Sequence, residues 1–519
     1  PVRFPSLVFQ CLCYFPFPFF VMKPMSPIDA APSQSPRRNG LRIAAVAVCL
    51  TGAFFAARAL RETPAAKNTP DAVVAATVPG GSGAKAESPE EILAAIPAEV
   101  DAASASQSAV LEGMAKARKS PEKAKSWVVL GDVLAQRLRD TADQRYYDYA
   151  EKAYLHALSL QADDADAMSG MAWVTGGRHV FDASMDWAHK ALAIAPGSAD
   201  SYAMLGDAHL ELGDYDAAYD DYQKMMDLRP DLSSWSRGAY LLWITGDENK
   251  AQDLMEKAIR AGGPFAENTA WCRAKLATMH LHAGAFAAAA QVLEPSLKER
   301  SKNPHVLLAA AKVAVATRSF DVAEGYYKLL NEKAPNHDAL AGLGDLRAAK
   351  GDLAGAEKYY VQVEELHAAH LKSGVHDHAQ MAKFLADHDR NLVEAVRLAE
   401  QHKLTNNVVE ADVLAWVYFK NGENAKAIEA MKRALSRKTP DPEMHYHAGM
   451  IAAAAGDLNA ARRHLELAVS TNPEFSLLQG PIARKKLEAL SDGSEAGLAK
   501  PPVLPAAESG HAEVTGAER

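Results

Sequence analysis

The chain has 519 residues, 48% hydrophobic, 23% charged and only 7% aromatic, with a formal net charge of −9. That length allows three or four ordinary domains or one long array of repeats, and the acidic balance argues against a nucleic-acid surface, which needs a concentrated basic patch to release counterions from phosphates. Of four cysteines, Cys11, Cys13 and Cys49 lie near the N-terminus and only Cys272 lies in the body, so no disulfide framework holds the fold.

Residues 1–61 read as an apolar, targeting region. Residue 1 is Pro, and Pro5, Pro16 and Pro18 interrupt the apolar stretch 4–22, so Met22 or Met25 is the expected initiator. A segment ending in Arg37, Arg38 and Arg42 then precedes the apolar run IAAVAVCLTGAFFAA at 43–57. A basic region followed by a short apolar run is the pattern of an export signal. Such a run spans roughly 22 Å as a helix, against about 30 Å of hydrocarbon. The longer stretch 41–60 spans a membrane only if Arg42 and Arg58 snorkel. Ala57-Arg58-Ala59 offers a cleavage site, and an uncleaved anchor with its basic end inside the cell is the alternative. Both place the chain in a bacterial envelope, either periplasmic or anchored in the inner membrane and facing the periplasm. Residues 62–89, rich in Ala, Pro, Gly and Thr, read as a flexible linker, and 491–519 as a disordered tail. The folded part is then 90–490.

Within it, LGDAHLELGDYDAAYDDYQKMMDLRP at 205–230 recurs in outline. In a unit starting at Ala199, small residues fall at unit positions 8 (Gly206), 15 (Gly213) and 20 (Ala218), with Tyr222 and Pro230 further on. The frame returns from Leu232 (Ala239, Gly246, Ala251, Met255), from 304 (Ala323, Tyr327, Pro335) and from 337 (Gly344, Gly351, Ala356, Tyr360). It is present again from Val408 (Ala415, Gly422, Ala427) and from Met444 (Gly449, Gly456, Ala461, Pro473). Spacings of this length mark stacked supersecondary units. Position 15 is a turn glycine closing a first helix, and the adjacent Asp214, Asp247, Asp352 and Asp457 are placed to cap the second. Small residues at 8 and 20 let the two helices approach. No unit buries its own apolar face, so stability comes from stacking.

This pattern resembles the tetratricopeptide repeat family. The resemblance implies an all-α, right-handed superhelical solenoid of stacked helix-turn-helix repeats, with nine or ten units between about 124 and 473 and a capping helix at Pro481–Leu490. Two departures stand out. The first unit carries an insertion over 137–158, and the unit at 375–400 lacks its turn glycine. With VHDHAQMAKFLADHDRNLVEAVRLAE, LAWVYFKNGENAKAIEAM and HYHAGMIAAAAGD, the chain resembles a broad group of exported bacterial tetratricopeptide proteins, which implies no particular activity.

Carried over from the family, the concave-face positions of the first helices are Trp173, Asp207, Glu211, Tyr240, Trp243, Trp271, Lys312, Asp345, Trp416, Phe419, Tyr446 and Met450. Aromatic anchors in a concave surface suit a protein or extended peptide partner. Leu-Gly-Asp at 130–132, 205–207 and 343–345 places Asp132, Asp207 and Asp345 at equivalent first-helix sites, where hydrogen bonds within a repeat or a solvated wall are expected. Histidines crowd into 367–388, and His367, His370, His376 and His378 are candidate ligands for a soft divalent metal, set against a plain polar junction between repeats. No Ser/His/Asp order, phosphate-binding Gly loop or nucleophile elbow is present. The expected function is a non-enzymatic scaffold without a cofactor, with a metal-handling accessory role for 367–388 as the alternative.

Overall fold

The computed structural model describes residues 87–97 and 104–492, apart from 264–265, 300–302, 334, 373–374 and 403–405. The targeting segment, most of the expected linker and the expected tail lie outside the described residues. Among the described residues no helix is long and apolar enough to cross a membrane, and the 41–60 segment is not among them.

All regular structure described is helical. Helices α1 (Pro89–Ala95) and α2 (Ala105–Lys119) precede ten helix pairs. The first five are α3/α4 (Ala124–Thr141, Arg145–Leu160), α5/α6 (Ala165–Gly177, Phe181–Ile194), α7/α8 (Ala199–Leu212, Tyr215–Leu228), α9/α10 (Leu232–Ile244, Glu248–Ala261) and α11/α12 (Ala266–His282, Phe286–Lys298). Next come α13/α14 (Pro304–Ala316, Phe320–Lys333), α15/α16 (His337–Ala349, Leu353–Lys372) and α17/α18 (His378–Asp387, Leu392–Ala399). The last two pairs are α19/α20 (Val408–Lys420, Asn424–Ala434) and α21/α22 (Pro442–Ala454, Leu458–Thr471), followed by α23 (Gln479–Asp492) over the expected capping helix.

Local chemistry explains the pairs. Asp214, Asp247, Asp352 and Asp457 each accept a backbone N–H in the first turn of α8, α10, α16 and α22, as their spacing predicts. The position-20 alanines 218, 251, 323, 356, 427 and 461 are all buried between helices. Each Leu-Gly-Asp serves one purpose. Its glycine gives way to a tyrosine ring from the second helix, and a Cβ at Gly206 or Gly344 would press into Tyr222 or Tyr360. The tyrosine hydroxyl then donates to the following aspartate: Tyr154 to Asp132 at 2.9 Å, Tyr222 to Asp207 at 2.8 Å and Tyr360 to Asp345 at 2.9 Å. Asp207 also receives Arg237 from α9, with Nε at 2.9 Å and the second nitrogen at 3.0 Å, so the bonds join neighbouring repeats as well.

Both departures have structural answers. The expected insertion is a longer first helix, α3, which runs on to Thr141 and stops at Ala142 in the left-handed region. In the α17–α18 turn Asp389 and Asn391 adopt positive φ where six other pairs use glycine and three use Ala142, His179 or Arg318, a conformation that Asp and Asn tolerate better than most residues.

One feature is absent from any repeat pattern. The α7–α8 turn touches the segment before α19, six pairs later: Asn406 N donates to Leu212 O at 3.0 Å, and Val408 N to the Tyr215 hydroxyl at 2.9 Å. Likewise Thr439 Oγ1 donates to Ile244 O at 2.6 Å, and Asn472 Nδ2 to Leu281 O at 2.8 Å. Arg318 meets Glu474 at 3.0 Å. Successive turns of the superhelix therefore rest on each other along a seam at the ends of the first helices. Gly213, Gly246 and Gly284 sit in it against the backbone of Asn406, Lys438 and Thr471.

Candidate functional site

The expected concave-face residues are mostly interior. Trp173, Trp243, Trp271, Trp416, Tyr446, Asp207, Glu211 and Met450 are buried, and only Tyr240, Lys312, Asp345 and Phe419 keep partial exposure. The expectation of an open aromatic groove is corrected accordingly. The cause is packing against neighbouring repeats. Trp416 stacks on His447 with centroids 4.2 Å apart and lies 5.2 Å from Phe419, and its indole N–H donates to Asp387 at 2.8 Å. Trp243 meets His282 edge-on at 5.2 Å, and His282 faces Asp441 of the seam at 3.5 Å. Trp173 packs on Tyr147 at 5.4 Å beneath the Arg139 guanidinium.

The lengthened α3 carries Arg139 and Gln136 across to α11, where both face the buried carboxylate of Glu267, Arg139 at 3.8 Å and Gln136 at 3.3 Å. Burial nevertheless raises the Glu267 carboxyl to about 6, because a single guanidinium at that distance does not offset desolvation. Glu211, at the seam, is raised well above the usual range by burial and by the charge of Glu410, and its Oε1 has no hydrogen-bond partner among the described residues. Of the Leu-Gly-Asp carboxylates, Asp345 also accepts from His388 Nε2 at 2.9 Å. All three are tied into the packing between helices, as hydrogen-bond acceptors within their repeats.

The histidine segment gathers differently from its sequence order. Asp377, not its flanking histidines, is the centre: His367 Nδ1 lies 2.7 Å from one carboxylate oxygen and His370 Nδ1 2.6 Å from the other. His337, from the start of α15, adds its Nδ1 at 3.4 Å and also meets Gln380 Oε1 at 3.1 Å. Asp377, His337 and His370 are each at most 3% exposed at the side chain. Burial would push the Asp377 carboxyl up, but hydrogen bonds from His367 and His370 overcome it and hold it well below its ordinary value. Burial lowers His337 to about 4. His378 is buried nearby, its ring 6.0 Å from that of His367, whereas His376 is exposed and touches only the edge of the group, 3.4 Å from His378.

Two models of the tetratricopeptide repeat match the chain, one over 199–232 and one over 413–474. The first spans α7 and α8, and the second most of α19 through α22. The chain carries tetratricopeptide repeats over these two stretches. Among solved structures it is similar to the pilF protein of Pseudomonas aeruginosa, at 21% identity and a TM-score of 0.33 over 40% of this chain and 94% of that one. PilW, described as a widely conserved type IV pilus biogenesis factor, matches at 15% identity and TM-score 0.33 over 39% of this chain and 92% of that one. Yeast Tom70 matches at 14% identity and TM-score 0.33, over 74% of this chain and 96% of its own. No curated protein matches the chain.

Sequence reasoning about the repeat array found His367, His370 and their neighbours but missed His337 and gave Asp377 no central part. His337 precedes the segment by thirty residues, and nothing in its own surroundings marks it. Only the stacking of α15 on α16 brings it to the carboxylate. The seam residues Asn406, Thr439 and Asn472 were equally silent, being loop residues before or after a helix.

Proposed function

We propose that this tetratricopeptide repeat protein is a non-enzymatic scaffold of the bacterial cell envelope that holds a protein partner or an extended peptide. The observation that carries the reading is the stack of ten helix pairs, which presents the same helix faces over and over along one array and is suited to reading an extended partner. The envelope setting rests on the basic-then-apolar stretch at 37–57. Since the tryptophans of the inner face are occupied, contact falls to the positions that keep exposure there. Tyr240, with the Lys275 ammonium 5.5 Å over its ring, and Phe419 are the aromatic ones.

The test is affinity capture from cell envelopes with the full chain, wild type beside a Tyr240→Ala/Phe419→Ala variant shown by circular dichroism to be folded. One protein retained by wild type and lost by the variant supports the reading; retention of the same proteins by both refutes the assignment of these residues. A phosphatase reporter fused after residue 89 checks the setting, becoming active only if the upstream segment exports it.

A further inference from the structure

Two side-chain groups in the described residues bring metal-type donor atoms within 4.8 Å of one another: His337, His370 and Asp377, and separately Asp387, Glu443 and His447. The second is already filled by a cation of the protein itself. Lys383 Nζ lies 2.6 Å from Asp387 and 2.9 Å from Glu443, while His447 is held at 3.0 Å by Asp412. Trp416 and Gln479 take up the remaining capacity of Asp387. A metal ion there would have to displace an ammonium from two carboxylates.

The first group is different. Three imidazoles from two helices, His337 of α15 and His367 and His370 of α16, converge through Nδ1 on the one carboxylate of Asp377. We propose that His337, His370 and Asp377, whose donor atoms lie within 4.8 Å of one another, form a binding site for a single divalent transition-metal ion of the zinc type. Two imidazole nitrogens and one carboxylate oxygen are donors of the kind such ions take, with the fourth position left to water and His367 orienting Asp377 through its other oxygen, whereas magnesium and calcium require six or more oxygens. Metal–ligand bonds of about 2.0–2.2 Å put tetrahedral donors roughly 3.3 Å apart. The separations from Asp377 Oδ2 to Nδ1 of His370, 2.6 Å, and to Nδ1 of His337, 3.4 Å, therefore need to open by less than about 1 Å. In the ion-free group, protons on Nδ1 do the bridging; an ion at Nδ1 binds the neutral rings as the tautomer that carries the proton on Nε2.

The Nε2 atoms of His337 and His367 are buried without a hydrogen-bond partner among the described residues, and binding through Nδ1 leaves them so. Exposed His376 lies 3.4 Å from His378, whose ring is 6.0 Å from His367. The ion would pin α15, α16 and the start of α17 together. This inference stands apart from the scaffold reading and survives its failure.

The test uses the full chain, stripped with a chelator and titrated with Zn²⁺ by calorimetry, with Co²⁺ absorption reporting coordination. The expected result is one ion per chain, visible Co²⁺ bands of a four-coordinate site, and a higher melting temperature with Zn²⁺. H337Q and H370Q, each confirmed folded by circular dichroism, should weaken binding about 100-fold or more, while H376Q leaves the stoichiometry at one. The stacked pair His445 and His464 controls for adventitious binding, so H445Q/H464Q should leave the tight ion in place. Absence of Co²⁺ bands overturns the proposal, as does unchanged affinity in folded H337Q and H370Q. Loss of the ion in H376Q alone moves the site to the surface histidines and overturns it equally.

Discussion

Gly246 and Gly422 end the first helices of two repeats in the same left-handed conformation, φ +89° and +85°. Replacing either by alanine costs about 1–2 kcal/mol of backbone strain. Their surroundings differ. A Cβ at Gly422 meets nothing within 4 Å, whereas at Gly246 it would lie 2.5 Å from Lys438 O and 2.7 Å from Lys438 Cβ, across the seam. The 438–439 segment must then move away, and the buried bond from Thr439 Oγ1 to Ile244 O goes with it. Losing that bond and leaving its groups unpaired costs on the order of 1–3 kcal/mol more. G246A should therefore be less stable than G422A by about 1–3 kcal/mol in urea unfolding. Because relief comes from parting the turns, G246A alone should show a larger radius of gyration in solution scattering and faster amide exchange at Val408, whose N–H the seam holds. Equal stability and equal scattering for the two variants would refute the claim that the seam supports the closed superhelix.

Trp416→Ala should destabilise by about 3–5 kcal/mol, as an emptied core position does, lowering the melting temperature far more than Tyr240→Ala; an unchanged melting temperature would put Trp416 at the surface. Asp207→Asn strips Arg237 of its buried carboxylate and should cost about 3–5 kcal/mol, against about 1 kcal/mol for Tyr360→Phe, which removes one neutral donor; denaturant midpoints compare them. The Glu267 carboxyl, raised to about 6 from an ordinary 4.5, keeps its proton longer in the folded chain than in the unfolded one. It favours the fold fully below about pH 4.5, and that advantage, about 2 kcal/mol, is lost as pH rises through about 6. E267Q should flatten the stability profile between those values, and an unchanged slope would assign it to another group.

Much of the fold was legible because it is written locally. A glycine at position 8, an aspartate at 9 and a tyrosine fifteen residues on form one hydrogen-bonded unit, as in Asp207 with Tyr222 and Asp345 with Tyr360. In four pairs an aspartate after the turn caps the next helix within three residues, as Asp214 does at Ala217. Contacts that close within about thirty residues leave a spacing in the sequence, and periodicity recovers it. The site was less legible. Trp243 and Trp416 occupy register positions that belong to an inner face, but register says which way a residue turns and not whether solvent lies there.

The sequence alone determined the helix pairs, their caps, their turn chemistry and the order in which they stack, since each depends on residues close together in the chain. Tertiary structure alone decided that the array winds tightly enough for Thr439 to bond Ile244, that neighbouring repeats cover the tryptophans, and that His337 joins His367 and His370 around Asp377. The pitch of a solenoid is the sum of small rotations between many repeats, and no single repeat encodes it. Whatever meets across that pitch, six repeats apart, leaves no local mark.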